Sequence, residues 1–276
     1  MKQLILLFCL LFTQTSWCQS YMVMNNGSIL TTDKDGFVYD FGHYAYPHKI
    51  SLKGGVFFIE ENSILATIDE NGMLYRKYEQ IPKNILGKGI NYFLSSEGEL
   101  YMVDKAGTVK MKKEEDFQNA TYFGGSFFFI ALDDGKIEIV TINENGEFSR
   151  HADLMMDLSE LVSIGGRYFM NRRGIVHTIN TAGEVIVHSD MRVGLIDRRG
   201  GNFFTDSSGF IYTVTSEGEL ITPSVPMSFS TSNIVRNAAN YMVDLQGRLF
   251  VVNSKGEIFQ KQLSNIDFEN IVIVSL

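Results

Sequence analysis

Short apolar runs separated by polar, glycine-bearing turns fill this chain from Tyr21 almost to its end. In residues 91–110, NYFLSSEGELYMVDKAGTVK, a run opening at Tyr92 stops before Gly98, a second run from Leu100 stops before Gly107, and a third opens at Val109. No stretch sustains the 3.6-residue stripe of an amphipathic helix, and apolar runs this short with turn residues at both ends predict strands. The chain reads as all-β.

The same frame recurs from one end to the other. Its aromatic position is Tyr21, Phe57, Tyr92, Phe129, Tyr168, Phe203 and Tyr241; its first turn is Gly27, Ser63, Gly98, Gly135, Gly174, Gly209 and Gly247. The second turn is Gly36, Gly72, Gly107, Gly146, Gly183, Gly218 and Gly256, followed two residues later by an apolar side chain such as Val38 or Leu74. A period of about 36 residues is that of a repeat architecture. Turn glycines preceded by Asp, Asn, Glu or Lys supply the positive φ of a tight hairpin, so each repeat is an antiparallel meander.

Seven positions before the aromatic stands a further apolar residue, such as Ile50, Ile85 or Ile234, on a strand that in several copies ends in paired glycines, as at Gly54-Gly55 and Gly165-Gly166. Four strands in about 36 residues make a compact propeller blade. The first repeat lacks that preceding strand. Residues 270–276, NIVIVSL, resemble Asn233-Ile234-Val235 and are expected to supply it. The expected fold is therefore a seven-bladed β-propeller of four-stranded blades over residues 21–276, closed by the C-terminal strand joining the first blade, with no sheet edge left open at the seam.

Residues 1–20 carry Lys2, an apolar run over 4–12 and then small and polar residues, the pattern of a secretory signal peptide. The run is too short to span a bilayer, and no transmembrane segment is expected elsewhere. Both cysteines and the single tryptophan fall in this leader, so the mature domain holds no disulfide. Stability from closed burial without covalent staples points to export in a bacterium, to the periplasm or the medium. A net charge of −8 argues against nucleic acid or an anionic membrane as the main partner.

Strand direction alternates through each meander. Connections between repeats and first turns are thus expected on one face, with paired glycines and second turns on the other. On the first face, residues 41–49 bring together His43, Tyr44, Tyr46 and His48, whose rings are suited to stacking on a ligand. His151 and His188 are expected on that face too, with His177 inside a strand. Arg172 and Arg173 form the tip of a first turn, where guanidinium forks hold carboxylate or phosphate. Arg198 and Arg199 are expected on the opposite side. Asp133, Asp134, Asp153 and Asp157 offer carboxylates for an alternative, enzymatic reading with a loop-face His/acid or metal site. Asp33-Lys34-Asp35-Gly36 resembles a fragment of a calcium loop but lacks its distal glutamate, and hairpin chemistry explains it. No nucleophile elbow, phosphate loop, HExxH run or cysteine metal pair is present, so no catalytic residue, resident metal or cofactor is assigned.

The segments EGELYMVDKAGTVK, GRLFVVNSKGEIFQ and GFIYTVTSEGELIT resemble the repeat of quinoprotein-type and related bacterial propellers, in which a Gly-x-Leu-Tyr strand precedes Asp-x-x-x-Gly and another strand. The resemblance implies the propeller fold. Quinoprotein repeats carry a docking tryptophan after the second glycine, which no copy here has, so the likeness extends to the fold and not to a quinone cofactor. The expectation is an exported binding or scaffold protein that recognises a protein or peptide through its loop face. A hydrolase or lyase is the alternative.

Overall fold

The computed structural model describes residues 20–33, 35–44, 47–61, 63–78, 81–225, 227–261 and 271–274. Over these the protein forms seven four-stranded antiparallel sheets, each taking its strands in sequence order except the first. Blade 1 is β28 (Ile271–Val274), β1 (Ser20–Met24), β2 (Ser28–Thr32) and β3 (Val38–His43). The expected closure is observed, with β28 antiparallel to β1 and Met22 opposite Val274. Of the segment expected to close the ring, residues 270, 275 and 276 lie outside the described residues, as do 1–19 of the expected leader.

Turn chemistry explains the frame. Every first-turn and second-turn glycine has positive φ, and Ser63, the one departure, adopts the same region at 58°. The carboxylate or amide three residues before the second glycine, replaced by the Thr215 hydroxyl in blade 6, supports the hairpin from within: Asp69 Oδ1 accepts from the backbone N–H groups of Asn71 and Met73, both at 2.9 Å. Asp33, in the calcium-loop look-alike, is spent in the same way. Its Oδ1 takes the Asp35 and Phe37 amides at 2.9 and 2.8 Å, and its Oδ2 takes the Tyr39 hydroxyl at 3.0 Å.

Second and third strands are largely buried, and wholly so in β5 (Phe57–Glu60) and β6 (Ile64–Ile68), because each sheet face packs on a neighbouring blade. The seven aromatics of the repeat are all fully buried at these interfaces. Several reach into the following blade. Tyr21 packs on Phe58 at 5.2 Å between ring centres, Tyr92 on Phe128 at 5.6 Å, and Tyr168 on Phe204 at 4.6 Å. The Tyr92 hydroxyl also donates to Phe127 O at 2.6 Å, so the residue serves as both wedge and tie. A belt of backbone bonds links successive second turns, from Glu70 N to Lys105 O, Lys105 N to Glu144 O, and onward to Ser254 O, at 2.8–3.0 Å.

Candidate functional site

In blades 2 to 7 the first strand turns into the second through a residue pair, Gly-Gly in blades 2, 4, 5 and 6, Gly89-Ile90 in blade 3 and Ala238-Ala239 in blade 7, and these turns meet around the axis. A Cβ on Gly166 would stand 2.2 Å from Gly201 Cα, and one on Gly125 would stand 2.5 Å from Gly166 O. Only a residue without a side chain permits that approach. The amides are then fully engaged. Within a blade, Gly124 N donates to Phe127 O and Gly165 N to Tyr168 O; between blades, Gly125 N donates to Gly165 O, Gly166 N to Gly200 O and Gly201 N to Ala239 O, at 2.7–3.2 Å.

Above this glycine floor lies a cavity of about 310 Å³ shared by five consecutive blades, which places the first strands at the axis and the fourth strands at the rim. Its walls are the last residues of the first strands: Lys88 of β8 (Ile85–Lys88), Phe123 of β12 (Ala120–Phe123), Ile164 of β16 (Leu161–Ile164), Arg199 of β20 (Ile196–Arg199) and Asn237 of β24 (Ile234–Asn237). Lys53, the last residue of β4 (Ile50–Lys53), holds the same position in blade 2. Neighbours in this ring bridge backwards, with Lys88 Nζ donating to Lys53 O and Asn237 Nδ2 to Arg199 O, the latter at 2.6 Å.

The electrostatics have one sign. No carboxylate among the described residues lines the cavity. Among the described residues, Lys53, Lys88 and Arg199 have no ion-pair partner, although the protein as a whole is acidic. Burial, and then the neighbouring Lys53 charge, pushes the Lys88 ammonium down to about 8. The lining also lacks imidazole, hydroxyl and thiol groups. Two cations, an amide and an apolar wall suit retention of an anion. They do not form a general acid–base pair.

The residues singled out by the sequence are divided among several places. His43, exposed at the end of β3, has Nδ1 2.7 Å from Asn26 O in the first turn of its own blade. His48 is exposed in the short turn Pro47–Lys49. Tyr44 is half-buried against the core of blades 1 and 2, under the Arg76 guanidinium at 5.1 Å, and Glu60 holds that guanidinium at 2.6 Å. Tyr46 lies outside the described residues.

His151, in β15 (Phe148–Asp157), and His188, ending β19 (Val185–His188) opposite Val176, turn their side chains into blade interfaces. Their Nε2 atoms lie 2.8 and 2.9 Å from the hydroxyls of Thr141 and Thr178, which donate to the second-turn carbonyls of Gly183 and Gly218 in the following blades. Both imidazoles hook back from the fourth strand onto a third-strand threonine, so they occupy two successive blade interfaces. Arg172 and Arg173 are exposed at their turn, with Arg173 3.7 Å from Glu160. His177, stacked on Phe169 at 4.5 Å, is buried, and burial pushes it down to about 4. Asp134 pairs with Lys136 at 3.1 Å. Among the described residues no group of three or more His, Cys, Asp or Glu is arranged to hold a metal ion.

Of the cavity wall, the sequence places only Arg199 on this side. The signal that reveals the rest is the position just ahead of the paired glycines, or of Gly89-Ile90 and Ala238-Ala239 where these replace them. Read down the repeats it gives Lys53, Lys88, Phe123, Ile164, Arg199 and Asn237, a ring once the blades close.

Fold and site together define a β-propeller repeat protein with a cationic axial mouth. No protein-family profile matches the sequence, and no curated protein matches it. Among solved structures the protein is similar to virginiamycin B lyase from Staphylococcus aureus, at 13% identity over 91% of this chain and 96% of that one, with a TM-score of 0.37. It is also similar to yeast RCC1 (Prp20) as crystallised with Kap60, at 10% identity over 92% and 80%, TM-score 0.43. BamB from Moraxella catarrhalis gives 14% identity over 90% and 80%, TM-score 0.25. At these identities and scores they indicate neither a family nor an activity, and the fold rests on the blades themselves.

Proposed function

We propose that this protein is an exported seven-bladed propeller that binds a protein or peptide partner, and that the contact centres on the axial mouth lined by Lys88 and Arg199. The observation that carries this reading is a concave, one-signed cavity on the axis whose cations have no acidic partner among the described residues. Unpaired like charges on an apolar surface are costly to keep together, and an anionic partner removes that cost. Export is supported by the leader-like composition of residues 1–20 and by a domain that needs no disulfide. No helix among the described residues is long and apolar enough to cross a membrane.

The test is affinity capture from envelope extract of the native host, with three versions of the protein matched for thermal unfolding. Wild type and a loop-face double variant, Arg172→Glu with Arg173→Glu, are expected to retain the same partner. Lys88→Glu with Arg199→Glu is expected to lose it. The reverse pattern overturns the assignment of the mouth and returns the contact to the loop face.

A further inference from the structure

We infer that the axial mouth recognises a peptide carboxylate carried beside an apolar side chain. This rests on the binding reading above and names the chemistry that the mouth selects. Four features of the cavity support it. First, the charge is complementary, with Lys88 and Arg199 on the wall, Lys53 beside Lys88, and no acid among the described lining residues. Second, the donors are side chains only. A phosphate is best held by several backbone N–H groups converging on its oxygens. Here the glycine amides that would form such a nest are bonded around the ring or within their own blade. What remains is a guanidinium fork, an ammonium and one carboxamide. The fork matches the two oxygens of a carboxylate, and the ammonium adds a point charge.

Third, the ring order sets the shape of the ligand. Going round from Lys88, the wall passes through Phe123 and Ile164 before it reaches Arg199 and Asn237. The anion therefore sits beside an apolar strip, which is covered by an aliphatic or aromatic group next to the carboxylate. Fourth, about 310 Å³ is at the small end of ligand cavities, room for the end of a peptide or one protruding side chain with its neighbour. The carboxylate has two sources, the C-terminus of a peptide or an internal acidic residue, and both present the same group.

The experiment uses dye-labelled hexapeptides and fluorescence anisotropy with the full-length protein at pH 7. The probes are GSGALF with a free C-terminal carboxylate, the same peptide as its C-terminal amide, and amidated GSLEFG, whose only carboxylate is internal. Binding of the first probe alone assigns the C-terminus as the source, and binding of the third assigns an acidic side chain. Either result supports the inference, provided that amidated GSGALF binds at least about tenfold more weakly. Arg199→Gln and Lys88→Met, each checked for unchanged thermal unfolding, are each expected to weaken binding about tenfold. Raising the pH to about 9.5 deprotonates Lys88 and is expected to weaken wild-type binding while leaving the Lys88→Met variant unmoved.

Equal binding of the acid and amide forms of GSGALF overturns the inference. So does displacement of the peptide by low-millimolar inorganic phosphate, or failure of every carboxylate probe. If those probes fail while the mouth variants still lose the captured partner, the carboxylate chemistry falls and the binding face stands.

Discussion

The hub and the rim of this propeller are built on opposite terms. At the hub, the turns of neighbouring blades approach to backbone contact, and the residues there are mostly glycine, with Ile90, Ala238 and Ala239 the departures in blades 3 and 7. At the rim, fourth strands range from two residues in β23 (Leu220–Ile221) to ten in β15, and most of their described residues are partly or fully exposed. Met111 on β11 (Val109–Lys113) is 56% exposed, whereas Leu100, on the buried β10 (Glu99–Val103) beside it, is fully covered. The hub sets the spacing of the blades because backbones there have nowhere to move. The rim carries no such constraint and varies freely. The proposed binding follows the same division, since the residues able to differ without disturbing the hub are those standing just above it, at the position of Lys88 and Arg199.

The sharpest way to break this contrast is to remove the hub strand of blade 1. Deletion of residues 270–276 strips β28 from β1 and is expected to abolish cooperative thermal unfolding and to leave insoluble protein. A truncated protein with a wild-type melting curve would mean that the ring does not depend on this seam. Next in size is Gly166→Ala, whose methyl group meets the Gly201 backbone at 2.2 Å and should cost roughly 3 kcal/mol in urea unfolding. A loss below about 0.5 kcal/mol would show that the hub can expand after all. Smallest is Arg173→Ala at the exposed loop face, where the ion pair with Glu160 should be worth under about 0.5 kcal/mol. A cost above about 1 kcal/mol by the same measurement would give that face a structural role that the hub–rim contrast denies it.

The fold was legible because turn geometry is a local demand that leaves a local mark. A hairpin needing positive φ selects glycine wherever it recurs, and Ser63 shows that the frame survives one exception. The paired glycines mark strand ends in the sequence, yet their reason, contact between one blade's backbone and the next, exists only after the ring has formed. The site was hidden for the same reason. Lys88 and Arg199 belong to blades 3 and 6, and nothing near either in sequence refers to the other. The aromatic-rich segment 41–49 stands out instead, although Tyr44 is absorbed into packing with Arg76 and Glu60, and His43 bonds its own turn. Local richness in polar rings marks a loop. Convergence across blades has to be read by aligning the repeats and closing them.

The clasp between β28 and β1 also has a meaning in time. Since β28 follows every other strand in sequence order, the sheet begun by Ser20–Met24 stays one strand short while all the intervening blades are being made. Domains generally fold as units during synthesis, and this one cannot complete its first blade until its tail has emerged and paired with its start. If the polypeptide is exported as proposed, and is threaded through a membrane pore before it folds, that delay keeps it pliable for as long as threading requires.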